Sequence, residues 1–147
     1  MANIPKDEKS KLLADFKMTF IRGGLLLAVV GGNFHEGVDL PGNLLSGVII
    51  VGLPLGQPDL TTKQLIAYYD EKYRKGWDYG YIFPAFVKAM QCAGRCIRSE
   101  NDRGVIAFID DRYSWPKYYA CFPKGYNPTI TVNFSAAIKE FFQRKVI

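Results

Sequence analysis

The sequence predicts an α/β fold, in which one domain has a mainly parallel sheet flanked by helices. Three observations lead to this prediction. Short apolar runs have the length of buried strands, the long connections between them have helical periodicity, and glycine-rich or charged residues follow the runs. The length of 147 residues fits a single domain with its own core. Ligand-binding loops are therefore expected at the carboxyl ends of the strands.

The first part of the chain contains one predicted helix and two predicted strands. Apolar residues recur at helical spacing over residues 10–20, which predicts an amphipathic helix that a glycine pair ends. Continuous apolar runs at residues 25–30 and 47–54 each predict a strand that is buried on both faces. The glycine-rich loop between them, residues 31–46, carries titratable groups and is expected to have a functional role.

The second part of the chain continues the alternation of helices and strands. Periodicity predicts helices over residues 60–75 and 81–99. A buried strand with a charged end is predicted over residues 103–113, a further short strand over 118–123, and a closing helix over 134–145.

Composition limits the classes of function. The three cysteines, Cys92, Cys96 and Cys121, form an odd set without a Cys-x-x-Cys pair, which argues against a disulfide framework or a metal site built from this chain alone. Buried thiols are expected instead. No apolar run approaches a membrane span, and the amino terminus lacks a signal-peptide core, so we expect a cytoplasmic protein with no membrane partner. The net charge of +5 is compatible with a phosphate-bearing partner but does not identify one.

The segment Gln-Cys-Ala-Gly-Arg-Cys-Ile-Arg at residues 91–98 is the most informative part of the chain. On the predicted helix, Gln91, Arg95 and Arg98 are spaced to share one face. Guanidinium groups are planar, and their paired N–H donors match the spacing of phosphate oxygens. Such a face therefore suits a nucleotide-hydrolysing site. The alternative is a solvent-facing stripe whose arginines pair with neighbouring carboxylates such as Glu100 and Asp102.

Two further sets of residues have both a nucleic-acid interpretation and a structural one. Aromatic residues alternate along one short segment: Trp77, Tyr79, Tyr81 and Phe83. Their rings would either stack on the bases of a single strand or pack within the protein. Arg103 and Arg112 would either contact a DNA backbone or form surface pairs with neighbouring carboxylates.

Two motifs resemble a known family. Gly-Gly-Asn-Phe-His-Glu-Gly-Val-Asp-Leu-Pro-Gly at residues 31–42 resembles motif V of the superfamily 2 helicases, and residues 91–113 resemble motif VI with its following strand, in the form found in the XPD and DinG branch. The motif order, the apolar strand between the motifs and the aromatic segment fit an archaeal-type XPD-like pattern over nearly the whole chain. The resemblance implies a RecA-like domain of the P-loop NTPase type, namely the second motor domain of a DNA-repair helicase.

The resemblance also implies roles for individual residues. It identifies Arg98 as the arginine finger to the γ-phosphate, with Arg95 lining the same cleft and Gln91 relaying nucleotide state. From motif V it assigns Glu36, Gly37 and Asp39 to the nucleotide side, with Asp39 accepting hydrogen bonds from a ribose hydroxyl or a coupling arginine.

The nucleic-acid contacts are predicted at four positions, which are Asn33, His35, Trp77 and Arg112. His35 departs from the family pattern, because many relatives carry a small polar residue there, commonly serine. An imidazole that donates to a phosphate or packs on the loop is expected instead.

The phosphate loop of the ATP site, Gly-x-x-x-x-Gly-Lys-Ser/Thr, does not occur in the sequence, and neither does an Asp-Glu-x-His pair. The resemblance implies that ATP and Mg²⁺ are shared with a first RecA-like domain, which we expect to lie outside this chain together with a four-cysteine iron–sulfur cluster. The expected partners are that first domain, single-stranded DNA and a subunit of a repair complex. The expected activity is 5′ to 3′ unwinding, with a nuclear location in a eukaryote and no ATPase activity for the chain alone.

Two alternatives come from other classes of protein. One is a free-standing nucleic-acid or protein-binding module without motor activity, which the basic charge permits. The other is an interaction domain that docks a partner through the closing helix, residues 134–147.

Overall fold

The computed structural model describes residues 4–32, 34, 40, 44–100 and 102–144. Its sheet has two strands, β1 (Gly47–Val51) and β2 (Val105–Ile109), which pair in parallel with Gly47 opposite Val105 and Val51 opposite Ile109. β-Branched residues fill most positions of both strands, as expected for a sheet. The parallel pairing across a long helical connection confirms the α/β prediction and two of its strands.

Within the described ranges five α-helices accompany the strands: α1 (Lys6–Met18), α2 (Leu60–Tyr73), α3 (Phe83–Ala93), α4 (Pro116–Tyr119) and α5 (Phe134–Gln143). Local signals set where two of them begin. Asp59 accepts the Thr62 N–H at 2.7 Å at the start of α2, and Asn133 accepts the Ala136 N–H at 3.3 Å at the start of α5. None of the helices in the described ranges is long and apolar enough to cross a membrane.

The core lies between α3 and one face of the sheet. Ile50 of β1 packs against Ala89 and Ala93 of α3, with apolar residues of β2 around them. A second cluster joins Leu53, Phe86 and Tyr113 beside the first. The other face of the sheet is open, with exposed side chains at Ile49, Val51 and Ile109.

A π-helical segment, Asp78–Ile82, leads directly into α3. Glycines on this side allow α2 to pack closely, because a Cβ atom at Gly80 would lie only 2.7 Å from the Ile66 nitrogen, and one at Gly76 would collide with the Ile66 carbonyl. The helical path therefore begins before the predicted start at residue 81, and backbone packing replaces side-chain packing between the two helices.

Three predicted elements differ from the structure. Residues 25–29 form no helix or strand, and Leu25 and Leu27 are about 80% exposed, because no strand of the described residues pairs with them. Residues 118–123 complete α4 and a turn instead of a strand, since Pro116 occupies the first turn of a helix that it is suited to begin. The helix predicted to reach residue 99 ends at Ala93.

Candidate functional site

The segment that we call the arginine turn runs over residues 91–98 and contains Gln91, Arg95 and Arg98. Its first three residues belong to α3, which ends at Ala93, and the rest of the segment is not helical. Beyond Ala93, the N–H groups of Arg95 and Cys96 bond to carbonyls three residues back, at 3.2 and 3.1 Å, and this tighter winding ends the helix. The prediction that the glutamine and the two arginines share one helical face is therefore wrong. They lie on a helix end, a turn and an extended stretch.

Asp102 holds the backbone at the end of the arginine turn. Its Oδ2 atom accepts the main-chain N–H of Arg98 at 2.8 Å and that of Ser99 at 2.9 Å. These hydrogen bonds, the one from Arg98 first, lower the pKa of the Asp102 carboxyl. The alternative interpretation made Asp102 a partner for arginine side chains. The structure shows its hydrogen bonds to the main chain, and the charge of Arg98 also contributes to the lowered pKa of Asp102.

The thiol of Cys96 joins the arginine turn to the end of the glycine-rich loop. Cys96 is 4% exposed, and its Sγ atom lies 3.6 Å from the Leu45 carbonyl oxygen. Gly104, just before β2, completes the junction, because a Cβ atom there would collide with the Cys96 Sγ and lie 3.1 Å from the Ser46 carbonyl oxygen. Burial raises the pKa of the Cys96 thiol, so it remains a protonated packing group. The buried-thiol interpretation is confirmed at this position.

This junction places the arginine turn at the amino ends of the strands, which we call the amino edge of the sheet. Val105 begins β2 and donates its N–H to the Ser46 carbonyl at 3.0 Å, so the loop and the turn meet where both strands start. The expectation of carboxyl-end placement is wrong for this segment. The turn connects α3 to β2, and in a parallel sheet such a connection must return to the amino end of the next strand.

The carboxyl edge of the sheet, where both strands end, is held by Asp110. Its carboxylate receives Arg112 Nε at 2.9 Å and Arg112 Nη2 at 2.6 Å, and it also accepts the Leu53 N–H at 3.2 Å. The hydrogen bond from Arg112 is the main cause that lowers the pKa of Asp110 to about 2. The structure therefore shows the carboxylate pair that was the alternative to DNA contact for Arg112. Beside it, burial raises the pKa of Tyr113 to about 12, and its hydroxyl donates to the Gly52 carbonyl at 3.1 Å.

The predicted aromatic contact, Trp77, lies on the helical turn before α3. Its side chain is about half exposed, and its ring centroid is 4.7 Å from that of Tyr81. Helical winding separates the alternating residues into two pairs, because Tyr79 lies beside Phe83 at 5.3 Å. One part of the indole is thus packed on Tyr81, and the rest is accessible.

Among the residues that the structure describes, Arg103 pairs with no carboxylate, which was one of its two interpretations. Its guanidinium donates to the Phe141 carbonyl and, at 2.6 Å, to the Arg144 carbonyl, and it lies over the Phe141 ring at 4.8 Å. It therefore caps the carboxyl end of α5, where a cation is favoured by the helix dipole.

Five predicted site residues lie outside the described residues: Asn33, His35, Glu36, Gly37 and Asp39. Their roles remain predictions. The part of the loop that the structure describes on its carboxyl side, residues 44–46, forms the junction with Cys96.

The donor set at the amino edge suits an anion. Arg98 and Gln91 are exposed and Arg95 is half-buried, so two guanidinium groups and an amide belong to one short segment at this edge. These donors fit the anionic oxygens of a nucleotide triphosphate. Among the described residues no group of histidine, cysteine and carboxylate side chains could hold a metal ion. The segment can therefore supply cations to a phosphate.

Two residues with important contacts were not singled out in the sequence. Cys96 was treated only as one of three buried thiols, although its position between the two arginines was a signal that it anchors the turn. Asp110 was included only among the unnamed carboxylates near Arg112, although an aspartate directly after a buried strand is well placed to bind the neighbouring backbone. Both contacts depend on residues more than 50 positions away, which local periodicity does not reveal.

Comparison with known proteins identifies the family of this chain. Residues 2–129 match the model of the helicase C-terminal domain. The chain is 34% identical over 121 residues to the ATP-dependent DNA helicase chl1 of Aspergillus niger, covering 69% of this chain and 14% of that protein. It is 31% identical over 94 residues to the general transcription and DNA repair factor IIH helicase subunit XPD of Dictyostelium discoideum, covering 63% and 12%.

A third relative is also an ATP-dependent DNA helicase. The ATP-dependent DNA helicase DinG of Photobacterium profundum is 38% identical over 82 residues, covering 55% of this chain and 12% of that protein. The chain thus spans 12–14% of the length of these three relatives. With the matched domain and the small parallel sheet flanked by helices, the chain belongs to the helicase C-terminal domain family, as a RecA-like domain of the XPD-like branch of superfamily 2.

Proposed function

We propose that this chain is the second motor domain of an ATP-dependent DNA helicase and that its arginine turn supplies cations to the nucleotide. Its relatives chl1 and DinG are ATP-dependent DNA helicases. Because the chain spans a small part of those proteins, the activity proposed for it is that of a domain within a larger enzyme.

The junction at Cys96 is the observation that carries this proposal. Two segments far apart in the chain, residues 44–46 and the arginine turn, meet at the amino edge through the buried thiol. A composite nucleotide site needs cations on a fixed backbone, since a misplacement of about 1 Å can cost roughly a hundredfold in rate. The junction with Gly104 and the hydrogen bonds to Asp102 provide such a backbone.

In the proposed mechanism Arg98 is the finger that stabilises charge developing on the γ-phosphate, as the family resemblance implies. Arg95 lines the same cleft, and Gln91 relays the nucleotide state to α3. ATP with Mg²⁺ would supply the phosphoanhydride bond whose hydrolysis drives the cycle. We propose that the Mg²⁺ ligands, the phosphate loop and any iron–sulfur cluster belong to the first motor domain. Glu36, Gly37 and Asp39 would hold the sugar and couple it to the strand.

For nucleic acid we propose a single DNA strand contacted by Asn33, His35 and Trp77, with movement in the 5′ to 3′ direction. Trp77 suits this role because half of its indole is accessible for stacking. Arg112 joins this contact only if its guanidinium exchanges Asp110 for a phosphate. A repair-complex subunit is the further partner proposed, in a cytoplasmic or nuclear setting according to the host cell.

The proposal is tested with the chain alone and in a hybrid enzyme. The isolated chain is expected to show no ATP hydrolysis, because the phosphate-binding half is not in its sequence. In the hybrid, this chain replaces the C-terminal helicase domain of the Photobacterium profundum helicase DinG. We expect DNA-stimulated hydrolysis that falls about a thousandfold in Arg98→Ala, the lower end of the usual range for an arginine finger.

Arg144→Ala is the matched control, since Arg144 is an exposed arginine that pairs only with Glu140 on the same helix among the ion pairs described. Its hydrolysis rate should equal that of the unchanged hybrid. Turnover by the isolated chain, or an active hybrid indifferent to Arg98→Ala, would contradict the proposal. Salt-sensitive binding of single-stranded DNA without any nucleotide dependence would favour the binding-module alternative.

A further inference from the structure

Two adjacent cations, Arg74 and Lys75, link α2 to the helical turn that carries Trp77. Both side chains are exposed, and within the described part of the chain neither has a hydrogen-bond or ion-pair partner. The segment that we call the basic link, residues 72–77, has the sequence Lys-Tyr-Arg-Lys-Gly-Trp and contains no carboxylate. It therefore presents two cations to solvent beside a tryptophan.

Three carboxylates flank the basic link, and two of them are bound within the protein. Asp70 accepts a main-chain N–H of the link at 3.3 Å, and Asp78 pairs with Lys117 at 2.5 Å. The third, Glu71, is exposed on α2, but the chain leaves the helix at Arg74 and no ion pair between the two is among those described. The positive charge of Arg74 is therefore available to a partner.

The backbone of Arg74 has a conformation that arginine rarely adopts. Arg74 follows the last residue of α2 with φ 54° and ψ 32°, and among the described residues it is the only one other than glycine with a positive φ. This left-handed conformation is strained for any residue with a Cβ atom, and glycine is the usual residue at such a helix end. An exposed arginine held there without a protein partner indicates a role for its side chain in binding.

Trp77 provides an aromatic surface next to these cations. It follows Arg74 by three residues, so their Cα atoms are at most about 11 Å apart. Trp77 is 51% exposed, and the Tyr81 ring supports it from one side, with centroids 4.7 Å apart and planes inclined by 54°. The Tyr81 hydroxyl donates to the Gly56 carbonyl, which fixes the supporting ring. The indole is therefore held in place while part of it stays accessible.

We propose that the basic link is a binding site for single-stranded DNA, in which Arg74 and Lys75 bind the phosphates beside the base that stacks on Trp77. This inference rests on the proposed contact of Trp77 with a DNA strand and adds the phosphate-binding residues of that contact. Phosphates and base faces are common to all nucleotides, so the site accepts any sequence. It selects a single strand over a duplex, because the bases of a duplex are stacked on one another and do not offer a free face to the indole.

The first test compares two arginines that each follow the last residue of a helix. The probe is fluorescein-labelled oligothymidylate, and its dissociation constant from the hybrid enzyme is measured by fluorescence anisotropy at several salt concentrations. Arg74→Gly should raise the dissociation constant about threefold and lower the slope of log affinity against log salt by about 0.7, the loss of one phosphate contact. Arg144→Gly removes the same charge at the end of α5, where φ is −64° and the side chain pairs with Glu140, and should leave the affinity unchanged.

The second test compares the two tryptophans of the chain. Trp77→Ala should raise the dissociation constant about tenfold through the loss of stacking. Trp115→Ala is the matched control, because Trp115 is 53% exposed and lies outside the basic link, and it should leave the affinity unchanged. Lys75→Ala should weaken binding about threefold.

A measurement of folding separates binding from structure. Because glycine relieves the left-handed strain, Arg74→Gly should raise the denaturant concentration at which the isolated chain is half unfolded. A weaker affinity in a more stable protein cannot come from misfolding. A role of Arg74 in the helix end alone would leave the affinity for oligothymidylate unchanged.

The inference is wrong if Arg74→Gly and Lys75→Ala bind oligothymidylate as tightly as the unchanged hybrid, or if the two controls weaken binding as much as their matched variants. ATP hydrolysis by Arg98→Ala is measured in the same hybrid. If hydrolysis depends on Arg98 while the DNA affinity is indifferent to Arg74 and Lys75, this inference fails and the proposed function stands. If the affinity depends on them while hydrolysis is indifferent to Arg98, the DNA site stands and the proposed arginine finger fails.

Discussion

The two edges of the sheet use arginine and aspartate differently. At the carboxyl edge, Asp110 binds two nitrogens of Arg112 in a bidentate pair and adds the Leu53 N–H. At the amino edge, Asp102 binds the main-chain N–H groups of Arg98 and Ser99. The first aspartate fixes a side chain within the protein, whereas the second fixes the backbone that carries an exposed arginine. The two aspartates therefore fix different parts of the chain, a side chain at one edge and the backbone at the other.

Because the amino edge depends on close packing at Gly104, we expect an added side-chain atom there to destabilise the fold. Gly104→Ala should lower the free energy of unfolding by about 3 kcal/mol, because the new Cβ collides with the Cys96 Sγ and crowds the Ser46 carbonyl. Chemical denaturation of the isolated chain measures this loss. Gly56→Ala is the control, since a Cβ there meets nothing within 4 Å. Combining Gly104→Ala with Cys96→Ala should cost less than the sum of the two single changes, and additive losses would contradict the junction.

At the carboxyl edge the expected effect is smaller and depends on pH. The folded pKa of Asp110 is about 2, below its ordinary value of 3.8, so the pair stabilises the fold above pH 3.8 and this contribution is lost as pH falls toward 2. Asp110→Asn should lower stability near neutral pH by about 1–2 kcal/mol, allowing for the partial exposure of Arg112.

The measurement is the free energy of unfolding across this pH range for both proteins. The curves of the variant and the unchanged chain should converge at the acid end. A constant difference between them would show that the ionised carboxylate is not the source of the stability. In the hybrid enzyme the same variant should retain its rate of ATP hydrolysis, in contrast with changes at the amino edge.

The smallest effect is expected for Asp102, which shapes the arginine turn without contacting the core. Asp102→Ala should reduce ATP hydrolysis by the hybrid enzyme about tenfold, because Arg98 loses a fixed backbone but keeps its charge. Asp102→Asn keeps an acceptor oxygen and should recover part of the rate. Steady-state kinetics of the three proteins give the comparison, and an unchanged rate in Asp102→Ala would show that Arg98 is positioned by other contacts.

Much of the fold could be predicted because its signals are local. The apolar runs of β1 and β2 and the periodicity of α2 and α5 lie within short windows of sequence, and the structure confirms all four. The run at residues 25–30 has the same composition, yet a parallel strand exists only where a neighbour supplies its hydrogen bonds. Its apolar pattern therefore indicates a tendency to form a strand, but among the described residues no strand pairs with it.

The candidate site was less accessible to sequence reasoning. The residue types of the arginine turn and its link to the glycine-rich loop could be inferred from the motifs, but the end of α3 at Ala93 could not. Gly94 is the residue that follows the last helical residue and ends α3. The pairing of Arg112 with Asp110 was left open, because two adjacent aspartates offered equal partners until the strand ends were placed.

The π-helical segment Asp78–Ile82 takes up one extra residue just before α3. A π turn contains one residue more than the corresponding α-helical turn. Deleting one residue from this segment would therefore leave an ordinary α-helical turn and keep Phe83, Val87 and Gln91 on the same faces of α3. A deletion within α3 would instead rotate everything after it by about 100°, including the entry to the arginine turn.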